Sequence, residues 1–106
     1  MHYLGGLIGS GTLMYSGREI ARVSYDFDGF RRPSSEIVGN GEIKFEANAL
    51  REVFGLDVQI RTDDGRLLKL RFSEKSLDPS ANVAHVDVSG DLPAFAQHWK
   101  RWAGVN

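Results

Sequence analysis

Asp57-Val-Gln-Ile-Arg-Thr-Asp-Asp-Gly-Arg-Leu-Leu-Lys-Leu-Arg-Phe-Ser73 alternates apolar and polar residues on both sides of a turn, the pattern of a β-hairpin with one buried face. Side-chain parity selects the turn. A two-residue Asp64-Gly65 turn sets Ile60 opposite Lys69 and mixes the faces. A three-residue turn, Asp63-Asp64-Gly65, sets Ile60 opposite Leu68, Val58 opposite Leu70 and Leu56 near Phe72, while Gln59 meets Lys69 and Asp57 meets Arg71 outside. The second arrangement also places glycine where a type I turn is followed by a left-handed residue, so no Cβ is strained there. A slip of one residue would turn every leucine outward, which fixes the register.

The rest of the chain is read outward from this hairpin. From Gly5 to Phe30 a longer hairpin is expected, with Tyr15-Ser16-Gly17 as its turn. Leu13 then faces Glu19, Gly11 faces Ala21, Gly9 faces Val23 and Leu7 faces Tyr25. Two interior glycines weaken a flat strand but permit a coiled one with an aromatic ring lying over it, as at the corner of a small barrel. The opposite face carries Ser10, Thr12, Arg22, Ser24, Asp26 and Asp28, interrupted by Ile8, Met14 and Ile20. Arg31-Arg32-Pro33-Ser34-Ser35 is a loop, because Pro33 holds Arg32 extended and lacks a donor. A third strand runs from Ile37 to Glu46, with Gly39-Asn40-Gly41 expected as a bulge.

Leu50, Val53 and Phe54 recur at helical spacing within Asn48–Phe54, and Gly55 stands where a left-handed C-terminal cap belongs, with Leu56 as its apolar contact. Val83 to Val88 forms the last strand, Ala84, Val86 and Val88 on one face and Val83, His85 and Asp87 on the other. A short C-terminal helix is expected after Asp91, with Pro93 in its first turn and Phe95, Trp99 and Trp102 on one stripe. The fold class is therefore mainly β: a six-stranded antiparallel barrel or strongly coiled sheet with one short internal helix and a short C-terminal helix, in a single domain spanning 1–106. The short connections exclude parallel crossovers.

Length and composition agree. A chain of 106 residues suffices for one core that buries roughly two-thirds of the unfolded surface, whereas two domains would each be too small. A hydrophobic content of 42% with 25% charged residues is that of an ordinary globular domain. No apolar run approaches the ~18 residues of a spanning helix, so no membrane partner is expected. The start, Met-His-Tyr-Leu-Gly-Gly-Leu-Ile-Gly9, has no basic n-region and is broken by glycine, so the expected location is cytoplasmic. Absence of cysteine removes disulfides, thiol nucleophiles and thiolate metal sites. A net charge of -1 and a pI near 6.3 argue against a nucleic-acid partner, whose phosphates demand cations.

Chemistry is harder to place, because no motif combines residue type with spacing. Gly5-Gly6-Leu7-Ile8-Gly9-Ser10-Gly11 has the composition of a phosphate loop, but no helix follows it, and strand bending accounts for it better. Asp26 with Asp28, and His85 with Asp87, are two-apart pairs on strand faces that an enzyme or metal-binding domain would use if they met in a pocket. Arg31-Arg32 and Asp87-Val-Ser89-Gly90-Asp91 share residue types with elements of cyclic-dinucleotide-binding barrels, but their order and spacing differ and nothing is carried over from that family. Arg61, Lys69 and Arg71 share the outer face of the central hairpin, and with Arg31, Arg32 and Arg66 they make a candidate anion-binding patch. Trp99 and Trp102 either cover one end of the barrel or anchor a protein partner. The sequence thus favours a non-catalytic binding or interaction module with a protein partner and no cofactor. An anionic small-ligand or nucleotide-binding barrel is the first alternative, and an enzyme or metal-binding domain using Asp26, Asp28, His85 and Asp87 the second.

Overall fold

The central hairpin forms with the register that its parity requires: Val58 opposite Leu70, Gln59 opposite Lys69 and Ile60 opposite Leu68. Its turn is closed by the Gly65 N–H on the Thr62 carbonyl at 3.0 Å and the Thr62 N–H on the Arg66 carbonyl at 2.8 Å, with Gly65 at φ +92°. Thr62 fastens it further. Its buried hydroxyl accepts the Arg66 N–H at 2.7 Å, so a polar group inside the barrel is satisfied by the turn beside it. Asp57 and Arg71 meet outside at 3.8 Å. Phe72 packs against Phe54, with ring centroids 5.1 Å apart, while Leu56 is 36% exposed.

The computed structural model describes residues 1–94 and 99. In chain order the elements are β1 (His2–Tyr15), β2 (Arg18–Arg31), β3 (Ile37–Lys44), α1 (Ala47–Val53), β4 (Val58–Thr62), β5 (Leu67–Phe72) and β6 (Val83–Gly90). The strands close into an antiparallel barrel in the order β1-β2-β3-β6-β5-β4. The core inside it includes Leu13, Phe27, Ile43, Ile60, Leu68 and Val86, all at most 1% exposed. β6 carries Ala84, Val86 and Val88 inward and His85 and Asp87 outward, as its alternation predicts.

The first hairpin departs from expectation at its turn. Tyr15 pairs with Arg18, leaving two residues, Ser16 and Gly17, in the loop. Both take positive φ, +50° and +77°. This is the mirror-image turn whose twist matches that of the flanking strands, and it is preferred over a longer loop for that reason. A register shift between Leu13 and Met14 follows, and Leu13 then faces Ala21, Gly11 faces Val23, Gly9 faces Tyr25 and Leu7 faces Phe27. Each partner lies two residues beyond the expected one. From Leu13 back along β1 a shift of two preserves side-chain direction, so the expected faces survive there although the partners change, whereas nearer the turn the shift skips Ile20, which packs against the core, and Glu19 turns outward to Arg61. Tyr25 is the aromatic over Gly9: a Cβ there would sit 2.6 Å from the Tyr25 hydroxyl.

Gly39-Asn40-Gly41 is not a bulge. β3 pairs without interruption from Ile37 to Lys44 with β2, and from Gly39 to Lys44 with β6. Gly41 is required instead by close approach, since a Cβ there would collide with the Asp26 carbonyl oxygen and stand 2.8 Å from Phe27 Cα. β3 ends at Lys44 because Glu46 leaves the strand to cap α1, its carboxylate accepting the N–H groups of Asn48 at 2.9 Å and Ala49 at 3.0 Å. These bonds, with Arg51 nearby, hold the Glu46 carboxyl below the usual glutamate range. Leu50 and Val53 bury the inner side of α1, and Gly55 at φ +87° lets the Leu56 N–H return to the Val53 carbonyl at 3.0 Å.

Of the expected C-terminal helix, Leu92, Pro93 and Ala94 are described and are not helical; Phe95 and Trp102 lie outside the described residues. Trp99 is 4% exposed, and its Nε1 donates to the Pro93 carbonyl at 3.0 Å. Its ring occupies the space that a side chain at Gly29 would need.

Two pairs of variants test this packing by chemical denaturation. Gly41→Ala should lose more than about 2 kcal/mol, because backbone must move, while Gly17→Ala, in open space, should lose only about 1 kcal/mol for its left-handed φ. Leu70→Ala should lose about 2 to 5 kcal/mol and its exposed neighbour Lys69→Ala less than about 0.5 kcal/mol.

Candidate functional site

A closed barrel of tilted, coiled strands has a saddle-shaped outer wall, concave along one diagonal even though it is convex around its axis. Here that concavity is a groove of about 880 Å³ crossing the strands. Its middle row takes one outward side chain from each strand. Phe30 of β2 faces Val38 of β3; Ser89 of β6 faces Lys69 of β5; Lys69 faces Gln59 of β4; Gln59 faces Met14 of β1. Asn40, Asp87, Arg71 and Asp57 form the adjoining row. The tip of the first hairpin, Tyr15-Ser16-Gly17, borders the groove beside Met14, and Arg32 and Glu36 of the β2–β3 loop border it beside Phe30 and Val38.

The candidate basic patch is divided by this geometry. Arg32, Lys69 and Arg71 line the groove. Arg61 lies elsewhere, its Nη2 2.8 Å from Glu19, and Arg31 donates to the Ala94 carbonyl at 3.1 Å. Arg66 sits 3.7 Å from Asp64 at the turn. Among the side chains lining the groove, three carboxylates, Glu36, Asp57 and Asp87, accompany these three cations, so the side chains carry no net charge. Arg32 stands 3.7 Å from Glu36 and Arg71 3.8 Å from Asp57. The Lys69 ammonium has no hydrogen-bond or ion-pair partner among the described residues, nor have the side chains of Ser89 and Gln59 on either side of it.

Asp26, Asp28, His85 and Asp87 are on the outer wall but do not converge. β3 separates β2 from β6: Asp26 faces Glu42, which faces His85, and Asp28 faces Asn40, which faces Asp87. Two strand spacings, about 9.5 Å, therefore separate each aspartate from the residue on β6. The imidazole of His85 is held by Glu42 at 3.1 Å and by Glu74 at 3.5 Å, and Glu74 also accepts the His85 backbone N–H at 2.8 Å. No group of three metal-ligating side chains occurs among the described residues. Burial, then Asp28, then Glu42 raise the Asp26 carboxyl above the ordinary aspartate value. The glycine run from Gly5 to Gly11 lies wholly within β1 and leads into no helix.

A shallower depression of about 760 Å³ lies where β3 leaves β2, lined in part by Ser10, Ser24, Lys44 and Glu46. Its other cation, Arg22, is bound bidentate to Asp63 at 2.7 and 2.8 Å, and Glu46 is committed to the helix cap. The deeper groove is the stronger site. Of its middle row the sequence pointed to Lys69 by chemistry and to Met14 as an apolar residue on a polar face. Phe30, Val38, Gln59 and Ser89 became part of a site only through the pairing of six strands.

No family model, curated protein or solved structure matches this chain. Among the described residues no helix is long and apolar enough to cross a membrane.

Asp26 supplies a test of the outer-wall electrostatics. A carboxyl with a folded-state pKa raised above its unfolded value binds its proton more tightly when folded, so stability falls as pH rises from the unfolded to the folded value. Asp26→Asn should raise Tm at pH 7, and the gain should vanish below about pH 4, where the unfolded aspartate is also protonated.

Proposed function

We propose that this chain is a non-catalytic binding module that holds an extended segment of a protein partner in the groove across β3, β6, β5 and β4. One observation carries the reading. A single row of side chains on successive strands is apolar at both ends, with Phe30 and Val38 at one and Met14 at the other, and polar in between. Apolar ends supply buried area, and a polar centre fixes the register of what lies there, which is how a concave protein site combines affinity with specificity. An extended segment suits the shape, since it can follow a shallow curved path over strands that present alternate side chains outward.

A polyanionic ligand fits less well. Its binding would require an excess of cations, whereas the cationic side chains of the groove are equalled in number by its carboxylates. Catalysis by the four acidic and imidazole groups is disfavoured by their separation across β3.

A photo-crosslinking residue introduced at Gln59 or Ser89, exposed to an extract of the source cells, should give discrete protein adducts. The same residue at Arg22, across the barrel wall, should not. Ser89→Trp, which fills the groove from an exposed position, should abolish the Gln59 adduct without lowering Tm. Adducts equally abundant at Arg22, or unaffected by Ser89→Trp, would overturn the proposal.

A further inference from the structure

We propose that Lys69 is the residue that selects the partner segment, by binding a side-chain carboxylate that the segment presents between two apolar residues, each about three positions away. This rests on the groove reading above and names the chemistry the groove would recognise.

Most of the arginines facing the described surface already have acceptors. Arg22 has Asp63, Arg61 has Glu19, Arg51 has the Pro79 carbonyl and Arg31 the Ala94 carbonyl. Within the groove Arg32 is beside Glu36 and Arg71 beside Asp57. Lys69 differs in two ways: among the described residues its ammonium has no partner, and its neighbours on both sides are uncharged hydrogen-bonding side chains that have none there either. An ammonium flanked by a hydroxyl and a carboxamide on rigid strands offers three donor groups side by side on one face. A carboxylate, with about four lone-pair positions, is the acceptor that uses them, through charge-assisted hydrogen bonds.

The spacing follows from the barrel. Val38 and Met14 each stand two strands from Lys69 along the row. Strands are about 4.8 Å apart, so each apolar end lies about 10 Å from the ammonium-bearing strand, which is about the rise of three residues of an extended polyproline II segment, whose threefold repeat returns side chains to the same face at that spacing. A segment crossing the strands therefore meets an apolar surface, a cation and a second apolar surface at roughly equal intervals. Desolvation of the ends strengthens the pair between them, because the bound segment excludes water from its flanks.

The test uses the full chain as bait for a linear random-peptide phage library. Enriched sequences should share an Asp or Glu with apolar residues about three positions to each side. A synthetic peptide of that sequence should lose about tenfold in affinity on Lys69→Gln, and the same on replacing its own carboxylate by the amide, but nothing further when both changes are combined. Circular dichroism should show both protein variants folded as wild type. Additive losses in that cycle, or enriched peptides that lack an acidic residue yet are displaced by Ser89→Trp, would overturn the assignment to Lys69 and leave the groove reading standing. Failure to enrich any peptide, or binding that survives Ser89→Trp, would overturn the groove reading itself.

Discussion

Closure of the barrel depends on one approach of backbone to backbone. β1 pairs with β2 along nearly its whole length but with β4 only from Gly11 to Met14, and this short seam joins the two ends of the sheet. Gly11 makes it possible. A Cβ at that position would stand 2.5 Å from the Arg61 carbonyl oxygen and 2.9 Å from Thr62 Cα, so any side chain would push β4 away. The Asp63 N–H extends the seam by donating to the Ser10 carbonyl at 3.0 Å. Once the seam is made, the stagger of the strands around the barrel is fixed, and with it the tilt that makes the outer wall concave along one diagonal. The groove is a product of that stagger: its row leaves β2 at Phe30, whose partner on β1 is Tyr3, and returns to β1 far along the strand, at Met14. An open sheet of the same strands would carry the same side chains without bringing them to a common hollow.

How much of this could be read from sequence differs between the two hairpins for a physical reason. In the central hairpin, inward Val58, Ile60, Leu68 and Leu70 leave one register that keeps polar residues outside, and Gly65 alone accepts the left-handed position. In the first hairpin Ser16 shares the positive φ with Gly17, and serine gives little warning of it. Parity cannot detect a shift of two residues, so alternation gives the faces from Leu13 back along β1 but not the partners, and it misses the reversal of Glu19 and Ile20 beside the turn. Gly39 and Gly41 mislead in another way. Glycine marks both bulges and close contacts, and only the position of Asp26 and Phe27 on the neighbouring strand shows that Gly41 serves the second.

The candidate site was legible only as separate pieces. Alternation along β5 put Lys69 and Arg71 outside, and that holds. Grouping them with Arg61 and Arg31 failed to anticipate local partners: Glu19 reaches Arg61 from the first hairpin, and the Ala94 carbonyl takes Arg31. Both contacts join residues distant in sequence. Phe30 and Val38 carried no signal, since single apolar residues on a sheet surface are common. Their meaning comes from lying on the same diagonal as Lys69.

The two kinds of polar contact on the outer wall have different consequences. Exposed pairs such as Arg22 with Asp63, or His85 with Glu42 and Glu74, add little to stability in high dielectric, but they fix side chains and occupy their hydrogen-bonding capacity. A surface so occupied has little left to offer a partner except by breaking what it has. Gln59, Lys69 and Ser89 have no side-chain partner among the described residues while their strands are held on both sides by the barrel, so binding there would order side chains but no backbone. In the proposed mode of binding, burial at the apolar ends would set the free energy of association and the unpaired ammonium at the centre the choice of partner. Stability and recognition are thereby carried by opposite faces of the same strands: Leu68 and Leu70 close the core, and Lys69 between them faces the groove.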